Sequence, residues 1–227
     1  MKKFLSLLLM AMMLVSLTAS AEAAPTVFVS ISDDTGALVL AYAPVTVTDV
    51  DGDGALTICD ALACAHAAHH PEGAVAFLAE DSEWGKSLYM LWNVDNGGSY
   101  GYMLNDASAW SLMDPVKDGD HVKAYAFTDL TNFSDTYAYF TAPVAAAAVN
   151  AEIPLTLNAA GYDADWNPVI LPVAGATITV NGEKTDAVTD ENGHAVLTLA
   201  EAGSCIVSAV SEAMTLVPPV CLVTVTE

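Results

Sequence analysis

Short runs of β-branched and alternating apolar residues recur along almost the whole chain, and residues that favour turns separate them. Thr26–Ser32 and Ala37–Ala43 flank the turn sequence Asp33–Gly36, which predicts a β-hairpin. The further runs are Val45–Thr48, Leu88–Asn93, Tyr100–Leu104, Val122–Phe127, Tyr137–Phe140, Ile153–Leu157, Ala176–Val180, Ala195–Leu199, Ile206–Val210 and Leu222–Thr226. Many short strands at this spacing restrict the chain to a mainly β fold, and those after residue 150 are typical of a sandwich.

One segment, from Thr57 to about His70, breaks this pattern. Ala, Leu and Cys dominate it, no Gly or Pro interrupts it, and Pro71 follows directly. Apolar residues without strand alternation, bounded by a proline, predict a helix over residues 57–70.

The chain divides into a leader and two domains. It opens with Met1–Lys3, continues with the apolar run Phe4–Ala19 and reaches the small residues Ala21 and Ala23, which together predict a secretory signal peptide over residues 1–23. We therefore expect a secreted or cell-surface protein with no membrane insertion after cleavage. The run Ala145–Ala148 is interpreted as a linker between domains at residues 24–143 and 150–227.

The charge of the chain is strongly negative. It contains 6 Lys or Arg residues, all of them Lys, against 28 Asp or Glu residues, for a formal net charge of −22. Such a chain repels phosphate backbones, so nucleic acid is excluded as a partner. The hydrophobic fraction of 54% argues against disorder, because disordered chains pair high charge with low hydrophobicity.

The segment Asp49–Asp60 has the ligand spacing of an EF-hand calcium loop. The predicted ligands, at positions 1, 3, 5, 7, 9 and 12, are the side chains of Asp49, Asp51 and Asp53, the backbone carbonyl of Ala55, and the side chains of Thr57 and Asp60. Gly54 stands at position 6, where the loop must turn sharply. The alternative interpretation is an acidic surface turn, since Asp-Gly-Asp-Gly is common in turns. The complete pattern favours one structural Ca²⁺ ion.

Two departures from an ordinary EF-hand point to a family. Position 12 is Asp60 rather than Glu, and the β-branched run Val45–Thr48 precedes the loop where a helix is usual. In both respects Asp49–Leu62 resembles a dockerin half-repeat. Dockerins carry two such repeats, and the second candidate, beginning at Asp163, has Pro168 where Gly is needed. The resemblance therefore implies calcium binding that stabilises the fold, without implying a cohesin partner.

A second resemblance covers the stretch around the predicted central strands. Ser99–Asn105, followed by Pro115–Val122 with its Asp-Gly-Asp turn, resembles the C-terminal β domain of transcobalamin. This resemblance implies a β-grasp-like fold for Thr26–Phe140, with the calcium loop and helix as an insertion. It also leaves a corrinoid or another small molecule as an alternative ligand. The possible contact residues would be Trp92, Tyr100, Tyr102 and Trp110, although the preferred interpretation places these aromatic residues in the strand core.

The C-terminal region resembles the Ig-like or prealbumin-like domains of bacterial surface proteins, through the segments Gly175–Gly182 and Thr189–Leu199. Cys205 and Cys221 lie in its last two predicted strands. Neighbouring antiparallel strands in an oxidising compartment predict a disulfide between them.

Three histidines, His66, His69 and His70, share the predicted helix. A zinc or haem site is the alternative to ordinary residues at a helix end, and no third ligand is identified for it. No nucleophile or phosphate-binding motif supports an enzyme. The sequence therefore predicts a non-catalytic, calcium-binding extracellular module. Its expected partner is a surface protein, a glycan or a copy of itself, and a structural subunit of a surface assembly is a further alternative.

Overall fold

The computed structural model describes residues 23–227, so all but the last residue of the predicted signal peptide at residues 1–23 lies outside the described residues. The described chain is mainly β, as predicted. Its strands are β1 (Thr26–Ser32), β2 (Leu38–Thr46), β3 (Leu78–Ser82), β4 (Gly85–Met90), β5 (Tyr100–Leu104), β6 (Ala107–Ser108), β7 (His121–Ala126), β8 (Thr136–Phe140), β9 (Val144–Ala148), β10 (Glu152–Tyr162), β11 (Pro168–Pro172), β12 (Thr177–Val180), β13 (Glu183–Val188), β14 (His194–Thr198), β15 (Gly203–Val210), β16 (Leu216–Val217) and β17 (Cys221–Thr226). Helix α1 spans Ile58–His69, and a short 3-10 helix spans Gly73–Ala76. Within residues 23–227, no helix has the length and apolar character needed to cross a membrane.

The first module, β1 to β7, is a mixed sheet with the strand order β2-β1-β7-β5-β6. β1 and β2 form the predicted antiparallel hairpin, whereas β1 and β7 run parallel. Alternate residues of β1, such as Val29 and Ile31, pack with Ile58 and Leu62 of α1 in one buried core. A single helix held against a mixed sheet is the arrangement expected of a β-grasp-like domain.

Helix α1 belongs to the core of this module, although the sequence suggests an insertion. Ile58, Ala61 and Leu62 are fully buried, so much of the apolar surface that stabilises the sheet comes from the helix. The helix begins after Thr57 and ends one residue before His70, close to the predicted bounds of 57–70. The addition to the main sheet is instead the hairpin of β3 and β4, which forms a separate two-stranded sheet.

The second module, β8 to β17, is a sandwich of two sheets. One sheet contains β8, β10 and β14, with β11 beside the end of β10, and the other has the order β13-β12-β15-β17-β9. Ile153, Leu155 and Leu157 of β10 alternate with more exposed residues, as expected for a strand with one face buried. They meet Ile178 and Val223 of the opposite sheet in one core. The predicted sandwich is therefore present.

The boundary between the modules lies earlier in the chain than the predicted domains of 24–143 and 150–227 place it. β8 pairs with β10 of the second module. The linker interpretation of Ala145–Ala148 is wrong, because these residues belong to β9, which runs parallel to β17. Alanine is a weak strand former in isolation. Here the hydrogen bonds to β17 and the packing of Ala145 and Ala147 against the core decide the conformation.

All four cysteines are free thiols in the structure, so the predicted bridge between Cys205 and Cys221 is not part of it. The two residues do lie on neighbouring strands, but the register sets Cys205 opposite Val223 and Cys221 opposite Val207. Diagonal neighbours of this kind have Cα atoms about 7–8 Å apart, which exceeds the usual reach of a disulfide. The sequence identifies the neighbouring strands but does not fix their offset.

Candidate metal centre

Three carboxylates converge in the loop that joins β2 to α1. The side chains of Asp49, Asp51 and Asp53 are exposed, and each offers an oxygen within 4.8 Å of the others. Gly52 and Gly54 have φ values of 76° and 88°, in the left-handed region that glycine adopts without a steric penalty. The alternation of Asp and Gly therefore coils the loop tightly enough to bring the three acidic side chains together.

Backbone N–H groups hold these carboxylates in place. Gly52 N donates to Asp49 Oδ1 at 2.7 Å, and Gly54 N donates to Asp49 Oδ2 at 3.0 Å. Ala55 N donates to Asp53 Oδ1 at 2.7 Å. This bond keeps Ala55, whose backbone carbonyl is a predicted ligand, beside the carboxylates. Hydrogen bonds from backbone donors limit the rotation of the side chains, and each carboxylate keeps free lone pairs with which to bind a cation.

Two of the predicted ligands, Thr57 and Asp60, do not join this group. They form a capping box at the start of α1: Asp60 N donates to Thr57 Oγ1 at 3.3 Å, and Thr57 N donates to Asp60 Oδ2 at 3.0 Å. The Thr57 hydroxyl also donates to Asp60 Oδ2 at 2.7 Å. A carboxylate three residues after the cap satisfies N–H groups that the first helical turn leaves without partners.

Asp60 is buried, with 2% of its surface exposed. Its second oxygen, Oδ1, accepts from Val50 N at 2.8 Å, which ties the beginning of the loop to the helix. The Asp60 carboxylate therefore organises the loop from inside the protein. The sequence contains the evidence for this role, because Thr-x-x-Asp before an apolar run is close to the pattern of a capping box.

A lysine from the β3–β4 hairpin lies against the acidic loop. Lys86 Nζ is 3.3 Å from Asp51 Oδ2 and 3.3 Å from Asp81 Oδ1. The hydrogen bonds to these two carboxylates raise the pKa of Lys86 above its ordinary value. Lys86, Asp51 and Asp53 line one shallow cleft with Met113. The sequence carries no signal for this lysine, because the contact depends on a hairpin that folds back from a distant part of the chain.

Within the histidine cluster, His66 uses both of its ring nitrogens in hydrogen bonds inside the protein. Its Nδ1 donates to Leu62 O at 2.6 Å, and its Nε2 accepts from Trp92 N at 2.9 Å, which fixes the neutral tautomer with the proton on Nδ1. Burial lowers the pKa of His66 to about 4. Neither ring nitrogen of His66 is free to bind a metal. A zinc or haem site would use His66 together with His70, so the structure does not support that alternative.

The four aromatic residues considered for a small ligand have separate roles. Trp92, Tyr100 and Tyr102 pack against the core of the first module. The Tyr100 hydroxyl donates towards Val94 O at 2.8 Å and is therefore occupied within the protein. Trp110 is 96% exposed. Tyr100 and Tyr102 of β5 therefore agree with the preferred interpretation of strand-core residues, whereas Trp92 packs against the same core from the turn after β4.

The fold and the loop together define a two-module β protein with an acidic loop at the start of its one α-helix in the described residues. No protein-family model matches the sequence, and no curated protein is significantly similar to it. The resemblances to a dockerin half-repeat and to the transcobalamin C-terminal domain remain predictions.

Proposed function

We propose that this protein is an extracellular, non-catalytic module that binds Ca²⁺ through the loop beginning at Asp49 and presents a surface to a partner. The observation that carries the proposal is the convergence of Asp49, Asp51 and Asp53 on one point of an otherwise ordinary turn. The N-terminal residues 1–23, with the composition of a secretory signal peptide, support the extracellular location.

The chemistry of the donor set favours a hard cation. The candidate ligands are carboxylate oxygens, and no His nitrogen or Cys sulfur belongs to the group among the described residues. Ca²⁺ accepts six to eight oxygen ligands in flexible geometry and tolerates water among them, whereas Mg²⁺ demands a near-octahedral set. Three carboxylates on an exposed loop suit the less demanding ion.

The position of Asp60 predicts weak affinity. A standard loop takes two oxygens from position 12, but the Asp60 carboxylate already accepts three hydrogen bonds inside the protein. We therefore expect a dissociation constant of about 10⁻⁴–10⁻³ M, which is the range of extracellular modules. Binding to the folded state alone would then add about 1.4 kcal/mol of stability at a tenfold excess of Ca²⁺ over the dissociation constant.

Calcium would act as a structural element in this proposal. The loop connects the edge strand β2 to the helix of the first core, and three like charges repel one another within it. A divalent ion offsets that repulsion, so the loop and the start of α1 become harder to unfold. The partner, which we expect to be a surface protein, a glycan or a second copy, would bind elsewhere on a framework made rigid in this way.

Calorimetric titration of residues 24–227 with Ca²⁺ tests the proposal, together with melting curves in Ca²⁺, in Mg²⁺ and in excess chelator. We expect one site per chain, a higher melting temperature in Ca²⁺, and loss of both effects in Asp51→Asn. The exposed Asp34→Asn is the matched control, because it removes the same charge from a different turn. Absence of binding, or equal loss in both variants, would refute the assignment.

A further inference from the structure

The sheet of the first module is covered on both faces, and β7 lies at its centre. Val122 and Ala124 pack towards α1 in the first core. His121, Lys123 and Tyr125 alternate with them and therefore occupy the opposite face. Tyr125 meets Tyr137 of β8 in a small cluster that also includes Val217. This face is the junction between the two modules.

Lys123 crosses the junction. Its side chain is almost completely buried, and Nζ donates to Ala138 O at 3.2 Å and to Pro218 O at 2.6 Å. Both acceptors belong to the second module. A neutral amine has two N–H donors, which is the number of carbonyl acceptors in this position. The additional proton of an ammonium would have the ring of Tyr137, 4.8 Å away at its centroid, as its remaining neighbour.

No carboxylate within 4.0 Å balances a charge on Lys123 in the described part of the chain. The titratable groups of this face are His121 and Tyr125 on the same strand, Tyr42 of β2 against His121, Tyr137 of β8 with Tyr139 beside it, and Asp106 in the turn between β5 and β6. Asp106 Oδ1 accepts from the Tyr137 hydroxyl at 2.7 Å, and among the described residues it is the carboxylate whose charge raises the pKa of Lys123. Burial without a paired carboxylate lowers the pKa of Lys123 to about 7, and Asp106 opposes this shift only in part.

We propose that Lys123 is a proton-controlled joint, at which the two modules dock with a neutral amine and loosen when that amine takes up a proton. In separated modules the amine would meet water and regain an ordinary pKa near 10.4. Docking then releases a proton between about pH 7 and pH 10, and the docking constant rises by up to tenfold per pH unit across that window. His121, whose pKa burial lowers to about 3, acts in the same direction at lower pH.

The proposal is independent of calcium, because its residues lie on the face of the sheet opposite α1 and the acidic loop. It is tested on the chain of residues 24–227 in chelator by hydrogen exchange, corrected for the intrinsic effect of pH. Amides of β7 and β8 should exchange faster at pH 6.5 than at pH 9, by a factor of ten or more. Amides of β12 and β15, which lie within the second module, should keep their protection.

The variant Lys123→Met retains the length of the side chain and removes the titrating group, so the exchange of β7 and β8 should become independent of pH in this window. Lys184→Met, on the exposed edge strand β13, is the matched control and should behave as the unmodified protein does. A pH dependence that survives in Lys123→Met would overturn the proposal.

A direct titration protects this test against a variant that fails to fold. Lysine side chains labelled with ¹³C at Cε report the protonation of each amine in the unmodified protein by NMR. We expect one lysine resonance, missing from Lys123→Met where that variant folds, to titrate near pH 7. If no lysine of the folded protein titrates near pH 7, the joint does not respond to protons near neutral pH and the proposal fails.

Discussion

The two modules bury their sheets in different ways. In the second module, strands such as β14 and β17 bury one face, so more buried and more exposed residues alternate along them. In the first module every residue of β7 is buried, because α1 covers one face of the sheet and the second module covers the other. Polar residues that would face water in a sandwich strand, including Ser30 and His121, are therefore enclosed.

This difference concentrates buried polar groups in the first module. Residues there include Ser32, Asp60, His66 and Lys123, whereas the second module buries Thr179 and Thr189. Among the described residues, no fully buried side-chain nitrogen or oxygen lacks a hydrogen-bond partner, as is required to offset the cost of its desolvation. Networks of this kind depend on protonation state, whereas an apolar core does not. The first module should therefore respond to pH more strongly than the second.

Acidification should produce the largest effect. Burial lowers the pKa of His66 to about 4 and that of His121 to about 3, whereas both would titrate near 6.5 when unfolded. The folded state disfavours protonation of these two histidines. Their contribution to stability is therefore fully present above pH 6.5 and is lost as the pH falls towards 4. The loss for His66 alone is on the order of 3 kcal/mol. Calorimetry from pH 7 to pH 4 should show the first module unfolding earlier than the second.

The control for this prediction is His194→Gln in the second module, where the histidine is largely exposed and its loss should change nothing. A second module that unfolds first on acidification would contradict the contrast between the two cores.

Truncation of a buried leucine in either apolar core should lower the free energy of unfolding by about 2–5 kcal/mol, because each truncation leaves a cavity in a closely packed interior. Leu62→Ala opens the first core and Leu157→Ala opens the second, and both side chains are fully buried. Denaturant unfolding monitored at pH 7 should give similar losses for the two variants. A loss below about 1 kcal/mol in either one would mean that its core is loosely packed.

Removal of the Asp60 carboxylate should cost about 1–3 kcal/mol in the presence of chelator. Asp60→Ala leaves the N–H groups of Val50 and Thr57 without their acceptor, whether or not calcium is bound. Asp186→Ala, on an exposed edge strand, should change stability by less than about 0.5 kcal/mol. If Asp60→Ala is destabilising only when Ca²⁺ is present, Asp60 is a ligand rather than a cap.

The smallest predicted effect concerns Lys86. Its ammonium offsets part of the charge of Asp51, so Lys86→Met should increase the affinity for Ca²⁺ by about two- to fivefold, as expected for a surface ion pair worth up to about 1 kcal/mol. Calorimetric titration against Lys184→Met measures the difference. A lower affinity in Lys86→Met would show that the lysine orders the site instead of competing with the ion.

Strands with a clear apolar alternation are predictable from the sequence. Thr26–Ser32 and Tyr100–Leu104 were predicted with the bounds that β1 and β5 have in the structure. The predicted strand Leu88–Asn93 is displaced, because β4 ends at Met90 and Trp92 and Asn93 have positive φ values of 54° and 64°. Alternation reports the strand interior, whereas a turn depends on local backbone conformation that the apolar pattern does not encode.

Features that depend on distant parts of the chain were not predictable. β9 consists largely of alanine and exists because β17 pairs with it. At the acidic site, the close spacing of Asp49, Asp51 and Asp53 carried enough information to predict their convergence. The separate role of Asp60 arises because the helix cap and the loop compete for one carboxylate. The contact of Lys86 with Asp51 depends on the β3–β4 hairpin, which the apolar pattern does not predict.

The connection between β7 and β8 has a mechanical consequence. Residues 127–135 are braced by two carboxylates: Asp135 accepts from the backbone and hydroxyl of Thr128, and Asp129 accepts from the Ser134 hydroxyl and from Thr131 N. A loop tied in this way has little slack, so tension applied to one module passes to the other without first extending a tether. Any loosening at Lys123 is then a hinge movement about this loop.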